Sequence, residues 1–293
     1  MNVAIIAIMG RPNVGKSTLL NCLLSKKVSI VTPKAQTTRD SIRGVLNEKD
    51  RQIVFVDTPG IYYGEGKLES HMRRAAFGSS REVDGILYLI DGSIDSLEMD
   101  LKIMKSIDSS APMTIVLNKI DLIRVERARE LEKELQEAFP ESKIIEATFK
   151  ENFGIKEVKA SIEPLLWEGE PFFDLGTLTD KDKTYQAKEV IREKILHFLK
   201  QEIPHQSAVK IDSLKKENGG YTIHATIIVE KDAHKGIVIG KGGEMIKKIS
   251  MAARHELERM WHEHITVLEI SVRAVPGWRN NAKILAELGY ADR

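Results

Sequence analysis

Residues Val3–Ser17 read VAIIAIMGRPNVGKS, an apolar run followed at once by a Gly-x-x-x-x-Gly-Lys-Ser loop. A buried strand that leads into such a loop is typical of a phosphate cradle, because the glycines let backbone N–H groups close around the phosphates of a nucleotide. Residues Thr18–Leu24 have the composition of the helix that should follow, with its positive end facing the anion. A chance glycine-rich turn is the alternative, but it would not require this strand and helix. The stretch predicts a nucleoside triphosphate site and leaves the base open.

The loop itself supplies the first set of predicted nucleotide contacts. Lys16 would reach the β- and γ-phosphates as a point charge, and the Ser17 hydroxyl would bind Mg²⁺. The full predicted set at this loop is Gly10, Arg11, Pro12, Asn13, Val14, Gly15, Lys16, Ser17 and Thr18.

The composition is that of an ordinary soluble globular protein. The chain has 293 residues, enough for about two domains, with 42% hydrophobic and 30% charged residues. No apolar run approaches the roughly 20 residues of a membrane span, and the chain opens on a strand rather than on a cleavable signal. We therefore expect a cytoplasmic protein. The single cysteine, Cys22, is predicted to be a small core side chain.

Charge is distributed unevenly along the chain. Residues 1–180 hold 24 Lys and Arg against 28 Asp and Glu, whereas residues 181–293 hold 20 against 15. Seven of the eight histidines also fall in the second part. This asymmetry favours a separate, more basic C-terminal module with a polyanionic partner, although a solvated basic surface would look the same.

Apolar runs of strand length alternate with helical stretches through the first half of the chain. This alternation predicts an α/β domain whose mostly parallel sheet is covered by helices on both faces. Ligands of such sheets bind at the carboxyl ends of the strands. The predicted strands are residues 3–9, 52–56, 86–90, 113–117 and 143–147, and the predicted helices include 97–107 and 125–139.

Two further motifs follow predicted strands. In Asp57-Thr58-Pro59-Gly60, the aspartate can hold Mg²⁺ through water and the glycine can offer its N–H to a γ-phosphate. In Asn118-Lys119-Ile120-Asp121, the final carboxylate can accept hydrogen bonds from the N1–H and the N2 amine of guanine, a donor pair that adenine lacks. Each tetrapeptide alone is more often a turn or a helix cap. In this order after the phosphate loop, they predict GTP.

With these three motifs in order, the chain resembles the translation-factor-like branch of the Ras-type GTPases. The resemblance implies a P-loop GTPase domain and a switch threonine, which the segment Gln36–Asp40 would supply. Thr38 is a better candidate than Thr37 for the Mg²⁺ ligand. The predicted catalytic residues are then Lys16, Thr38 and Gly60, and the predicted Mg²⁺ ligands are Ser17, Thr38 and Asp57.

The chain departs from that family at two positions. The family's fifth motif usually carries a serine where this chain has Glu146, although the backbone N–H of Ala147 would still reach the guanine carbonyl. We therefore expect weaker or faster-exchanging nucleotide. Ile61 stands where Ras-type enzymes carry a glutamine that orients the attacking water. Since isoleucine can do neither that nor proton transfer, we expect slow hydrolysis that responds to a partner.

Two loop features complete the predicted nucleotide site. Related GTPases with an asparagine at the position of Asn13 use it to hold K⁺ near the β- and γ-phosphates, so the resemblance implies a potassium site; the alternative is that Asn13 only shapes the loop. Residues 62–67 contain two glycines and few apolar side chains that could anchor the segment, which predicts a mobile switch. An ordinary surface loop has the same composition, and we expect both descriptions to apply.

The second half of the chain has a different pattern. Glycine, proline and acidic residues at 168–183 mark a linker between a domain at 1–167 and a smaller domain at 184–293. The latter begins with a predicted helix, 187–200, whose apolar stripe is expected to be core. Two strands follow, 209–215 and 221–230, joined by a turn at 217–220, and then a helix, 244–261, and a strand, 265–272.

The long helix opens on Gly240-Lys241-Gly242-Gly243, preceded by an apolar Ile-Val-Ile. This placement and element order resemble the type II KH module, an α+β fold that clamps about four nucleotides of single-stranded RNA. A second nucleotide-phosphate loop is the rival interpretation, but it lacks the spacing and the Lys-Ser pair. The RNA contacts that the resemblance implies are Lys235, Ile237, Gly240, Lys241, Gly242, Gly243, Lys247 and Lys248. A solvated helix face is the alternative for the flanking lysines.

A GTPase domain joined to one C-terminal KH domain resembles a family of bacterial GTPases, and the pairing is more specific than either motif. The resemblance implies a monomer that binds the 3′ end of small-subunit ribosomal RNA and assists assembly of the small ribosomal subunit. It also implies a peripheral fraction on the cytoplasmic face of the plasma membrane. Two alternatives stay open. The basic domain would bind membrane lipid or a protein instead of RNA, or the chain would be a P-loop kinase of a small metabolite.

Overall fold

The computed structural model describes residues 1–34, 37–62, 64–217 and 219–290. The chain divides into two compact units, one made of Met1–Tyr63 and Met72–Asp180 and the other of Gly64–His71 and Lys181–Arg293. The domain limits predicted at residues 167 and 184 are not tested by this division and stay predictions. Within the described residues, no helix is long and apolar enough to cross a membrane.

The first unit is built on one twisted sheet. Its strand order is β2-β3-β1-β4-β5-β6, parallel except for the edge strand β2, and β7 pairs antiparallel with the start of β1. The strands are β1 (Asn2–Gly10), β2 (Ile42–Asn47), β3 (Arg51–Asp57), β4 (Gly85–Asp91), β5 (Met113–Asn118), β6 (Lys143–Ala147) and β7 (Trp167–Glu168). The helices up to residue 162 are α1 (Lys16–Leu24), α2 (Lys67–Gly78), α3 (Glu98–Lys105), α4 (Val125–Ala138) and α5 (Ile155–Ile162). The first residues of α2, up to His71, belong to the second unit.

The continuous apolar run of β1 follows from burial on both faces of the sheet. Ile6 and Ile8 belong to one core cluster, whereas Ala7 and Met9 belong to the other. Because neither face meets water, the strand needs no polar alternation. The predicted α/β class and the five predicted strands are confirmed, and Cys22 packs against the first cluster as expected.

Sequence reasoning missed β2, β7, α2 and α5. The reason at β2 is Gly44, since glycine in a strand normally marks a weak point. Here a Cβ on Gly44 would lie 2.6 Å from a methyl group of Leu24 and 2.8 Å from one of Leu20. The glycine therefore leaves room for helix α1 to pack closely on the strand in this arrangement of the two leucines.

The second unit is a small three-stranded sheet covered by helices. Strand β9 is central, parallel to β10 and antiparallel to β8. The elements in chain order are α6 (Lys183–Phe198), β8 (Ser207–Glu217), β9 (Gly220–Val229), α7 (Asp232–Ile239), α8 (Glu244–Trp261), β10 (Ile265–Ala274) and α9 (Ala282–Glu287). The predicted helix at 244–261 and the three predicted strands are confirmed. Asn218 of the predicted turn lies outside the described residues.

Two details of this unit differ from the prediction. Helix α6 begins at Lys183 rather than at residue 187, with the Asp182 carboxylate accepting a hydrogen bond from the N–H of Tyr185 at its start. Helix α7 was not predicted, because its glycine and three β-branched residues disfavour helix locally. Burial of Val238 in the core of the unit accounts for its formation. The apolar stripe of α6, which includes Val190 and Ile195, is core as expected.

Candidate nucleotide-binding and RNA-binding sites

The carboxyl ends of β1, β3, β5 and β6 surround a cleft of about 540 Å³. The predicted nucleotide-site residues that line it are Pro12, Asn13, Gly15, Lys16, Ser17, Thr18, Thr38, Gly60, Asn118, Lys119 and Asp121. The other predicted residues are described by the structure but do not line the cleft. They are Gly10, Arg11, Val14, Asp57, Thr58, Pro59, Ile61, Ile120 and Ala147. Gln36 lies outside the described residues. Three motifs that are far apart in sequence therefore meet at one cleft.

The N-terminus of α1 opens into this cleft. Gly15 precedes the helix with φ 107°, no side chain caps the first turn, and no acidic residue lies in it. Its N–H groups and the positive end of the helix dipole are therefore available to an anion. Space also requires the glycine, because a Cβ at Gly15 would lie 2.4 Å from the side-chain nitrogen of Asn118.

Lys16 is buried against the loop that it would serve. Its amine donates to the carbonyl of Gly10 at 3.1 Å and to that of Arg11 at 2.7 Å. Burial lowers the pKa of this amine to about 8, against the opposing attraction of Asp57 and Asp100. The cleft thus contains a lysine that is easily deprotonated until an anion is bound.

This pKa predicts a pH-dependent affinity for nucleotide. Phosphate oxygens favour the charged amine, so binding near pH 8 should take up about half a proton. GTP should bind about threefold more weakly at pH 8.5 than at pH 7.5, since the charged fraction of Lys16 falls as pH rises through its pKa. Titration calorimetry in two buffers of different ionisation enthalpy measures the proton uptake. Equal heats in both buffers and a constant affinity would contradict the assignment.

Three oxygen ligands suited to Mg²⁺ converge beside Lys16. The Ser17 hydroxyl donates to Asp57 Oδ2 at 2.7 Å and lies 3.0 Å from the Thr38 hydroxyl. Asp57 is fully buried, burial raises its pKa, and its Oδ1 has no hydrogen-bond partner among the described residues. A buried carboxylate oxygen without a partner, beside two hydroxyls, fits a hard divalent cation. Thr37 instead bonds to Thr32 and to the carbonyl of Lys34.

The turn after β3 lies against the phosphate loop. A Cβ on Gly60 would be 2.7 Å from the Cα of Pro12, and the N–H of Ile61 donates to the carbonyl of Gly10 at 3.1 Å. The Ile61 side chain is fully buried in the core cluster that includes Met9. It therefore presents nothing to a water molecule in the cleft.

The other end of the cleft has the groups expected for a base. Asn118 ties the two sides together, since its amide donates to the carbonyl of Val14 at 2.8 Å and accepts from the N–H of Phe149 at 3.3 Å. Asp121 is exposed at the rim. Ala147 is fully buried behind this end, and Glu146 is half-buried.

Sequence reasoning missed Asp91 at the end of β4. Its carboxylate pairs with the Lys119 amine and accepts from Ser93. Burial raises its pKa, but the hydrogen bonds from Lys119 and Ser93 outweigh burial and lower it. The one available signal was its place at a strand end. Phe149 and Lys150 also line the cleft and were not predicted.

In the second unit the glycine loop is open to solvent. Gly242 and Gly243 have φ 60° and 83°, and a Cβ built on either would meet no heavy atom of the described part of the chain within 4 Å. Lys241 and Lys247 are exposed, and Ile237 is 51% exposed. The backbone is thus bare over two residues at the N-terminus of α8, beside lysines and an apolar side chain.

Three of the predicted RNA contacts are engaged within the second unit. Lys248 lies over the ring of Phe198, 4.5 Å from its centroid, and Lys235 pairs with Asp232 at 3.8 Å. A Cβ on Gly240 would collide with the backbone of Met245, so Gly240 serves packing in the loop. Met251, 63% exposed on α8, was not predicted.

The fold and the site define the class as a P-loop GTPase with a C-terminal KH domain. Residues 5–119 match the family described as 50S ribosome-binding GTPase, and residues 202–274 match the KH domain. The chain is 41% identical to the GTPase Era of Clostridium acetobutylicum over 97% of this chain and 96% of that protein. It is 40% identical to that of a Geobacter species over 97% and 96%. This chain belongs to the Era family of GTPases.

Two solved structures are similar over the full length of both chains. One is Aquifex aeolicus Era, a variant bound to GDP and AlF4⁻, with a TM-score of 0.94 and 36% identity. The other is Era in complex with MgGDPNP and nucleotides 1506–1542 of 16S ribosomal RNA, with a TM-score of 0.94 and 37% identity. As a member of this family, the chain hydrolyses GTP.

Proposed function

We propose that this chain is a GTP-driven switch that binds the 3′ end of small-subunit ribosomal RNA and assists assembly of the small ribosomal subunit. The observation that carries the proposal is the glycine loop of the second unit, whose backbone is open at Gly242 and Gly243 next to exposed Lys241. Such a loop admits an RNA backbone to close contact. The similar Era chain with 16S ribosomal RNA nucleotides points to the same ligand.

We propose roles for the residues of the cleft in GTP hydrolysis. Lys16 binds the β- and γ-phosphates, Gly60 offers its N–H to the γ-phosphate, and Asp121 binds the guanine edge. The hydroxyls of Ser17 and Thr38, with Asp57 through water, would hold Mg²⁺, which when bound offsets negative charge on the phosphates. Because Ile61 is core, the cleft supplies no side chain there to orient the attacking water. Intrinsic hydrolysis is therefore expected to be slow.

RNA is proposed to modulate this slow reaction. If the GTP state binds RNA more tightly, RNA must favour the GTP state by the same factor. The test is GTP hydrolysis with a short RNA of the small-subunit 3′ end, beside a scrambled RNA of equal length. Binding and a rate change with the first RNA alone support the proposal. Equal responses to both RNAs would favour a lipid or protein partner, and phosphate transfer to an acceptor other than water would favour a kinase.

We also propose K⁺ as a second cation of the site, at Asn13. Asn13 lines the cleft, has φ 65°, and donates through its amide to the carbonyl of Pro33 at 3.1 Å. A cation there would offset charge on the β- and γ-phosphates, in place of an arginine finger. Hydrolysis should be at least about tenfold faster in K⁺ than in Na⁺ at equal ionic strength, well below the factor of an arginine finger. Asn13→Ala should remove the difference, whereas equal rates for the parent would contradict it.

The proposed localisation is cytoplasmic, with a monomeric chain and a peripheral fraction on the inner face of the plasma membrane. Support for the membrane contact comes from the resemblance and from the excess of basic residues in 181–293. Flotation with anionic and neutral vesicles tests it. Binding that needs anionic lipid and weakens with salt supports the contact, and absence of binding to both would refute it.

A further inference from the structure

A buried carboxylate lies behind the phosphate loop, outside the set of residues that would touch nucleotide. Asp100 on α3 is 1% exposed. Its Oδ2 accepts from the Arg11 guanidinium at 3.2 Å, and its Oδ1 accepts from the Tyr88 hydroxyl at 3.1 Å. Burial raises the pKa of this carboxyl, against the effect of Arg11 and Tyr88. A charge that is costly to bury is therefore fixed to one residue of the loop.

Arg11 is held at both its backbone and its side chain. Its carbonyl accepts from the Lys16 amine at 2.7 Å, and its guanidinium bonds to Asp100. The next residue, Pro12, is the one against which Gly60 packs without room for a Cβ. Arg11 therefore contacts the lysine and directly precedes the residue that contacts the glycine, the two residues proposed to bind the γ-phosphate.

We propose that Asp100 is a positioning residue for GTP hydrolysis. Through Arg11 it holds the first half of the phosphate loop, and so sets the spacing between the Lys16 amine and the Gly60 N–H in the transition state. Asp100 is not among the described residues that line the nucleotide cleft. Because a residue that aligns groups for the transition state changes the rate without changing ground-state binding equally, Asp100 should affect the rate more than nucleotide affinity. The inference deepens the hydrolytic role and does not depend on RNA.

The first test is Asp100→Asn, which keeps the volume and the bond to Tyr88 but removes the charge. Because Asp100 also helps to keep the Lys16 amine charged, both measurements are made at about pH 6.5, well below the Lys16 pKa of about 8. Single-turnover hydrolysis at saturating GTP should then slow about tenfold, while the affinity for a fluorescent GDP analogue changes less than about twofold. Asp95→Asn makes the same chemical change at an exposed carboxylate five residues earlier, and it should leave both values unchanged. An unchanged rate for Asp100→Asn, or equal losses in rate and GDP affinity, would overturn the proposal.

A second variant keeps the test decisive if Asp100→Asn does not fold. Arg11 is partly exposed, so Arg11→Gln should fold, and it should slow hydrolysis by a similar factor. In the double variant the two effects on the rate should not add, because each substitution removes the same ion pair between Arg11 and Asp100. Additive effects would show that Asp100 and Arg11 act independently, and an Arg11→Gln variant with parental rate would show that Asp100 does not act through Arg11. Either result would overturn the proposal.

Discussion

Asp121→Asn is expected to exchange the base preference of the cleft from guanine to xanthine. The parent carboxylate can accept from both N1–H and the N2 amine of guanine. An asparagine accepts only one of these bonds and turns its amide hydrogens toward the amine. In xanthine a carbonyl replaces that amine, so the asparagine pairs with both groups. Affinity for GDP should fall about 10²–10³-fold, and affinity for XDP should rise by a similar factor.

The measurement is displacement of fluorescent GDP and XDP analogues from the parent and the variant. The structure places Asp121 at the exposed rim, two residues after Lys119, whose φ of 64° sets the turn out of β5. Because the side chain is exposed, the substitution should not disturb the core. Glu151→Gln is the matched control, an exposed carboxylate by the same end of the cleft. Loss of affinity for both nucleotides in Asp121→Asn, with an intact fold, would show that Asp121 supports the loop instead of reading the base.

The sequence predicted those helices and strands that are specified by the residues within or next to them. Strand β1 has a seven-residue apolar run because both faces are buried, and α8 begins at the glycine loop that opens it. Strand β2 has no such signature, since its Gly44 is explained only by the two leucines of α1 that pack on it. Helix α7 forms against its local preference because the core takes Val238. What sequence reasoning missed is therefore held by tertiary contacts.

In the candidate sites, too, sequence reasoning found the residues at fixed motif positions and missed their tertiary partners. Asp57, Asn118 and Gly60 could be predicted because each lies at or just beyond the end of a strand, at a fixed place in a motif. The partners that set their chemistry could not, because pairs such as Ser29 with Asp57 join residues that share no spacing rule. Ile61 shows a further limit. Its identity indicated that a glutamine was missing, but only the structure shows that its side chain is core.

The combined substitution Lys241→Asp and Gly242→Asp is expected to abolish the response to RNA while sparing GTP hydrolysis without RNA. A side chain at Gly242 would have to adopt φ 60°, and the space above it would be filled where the RNA backbone should approach. Two carboxylates would also replace one phosphate-pairing lysine at the N-terminus of α8. RNA affinity should fall about 100-fold or more, and the rate with the 3′-end RNA should equal the rate without it.

A matched control separates the loss of RNA contacts from two general effects, the added negative charge and the strain of a side chain at a glycine with positive φ. Lys283→Asp with Gly219→Asp makes the same changes elsewhere in the second unit. Lys283 is exposed, and Gly219 has φ 95° with no atom of the other described residues within 4 Å of a Cβ built on it. The control should keep most of the RNA response. Filter binding and hydrolysis with the 3′-end RNA measure both variants. If the Lys241 and Gly242 variant responded to RNA as the parent does, the RNA site would lie away from the glycine loop, because no contact to the bare backbone could survive both changes.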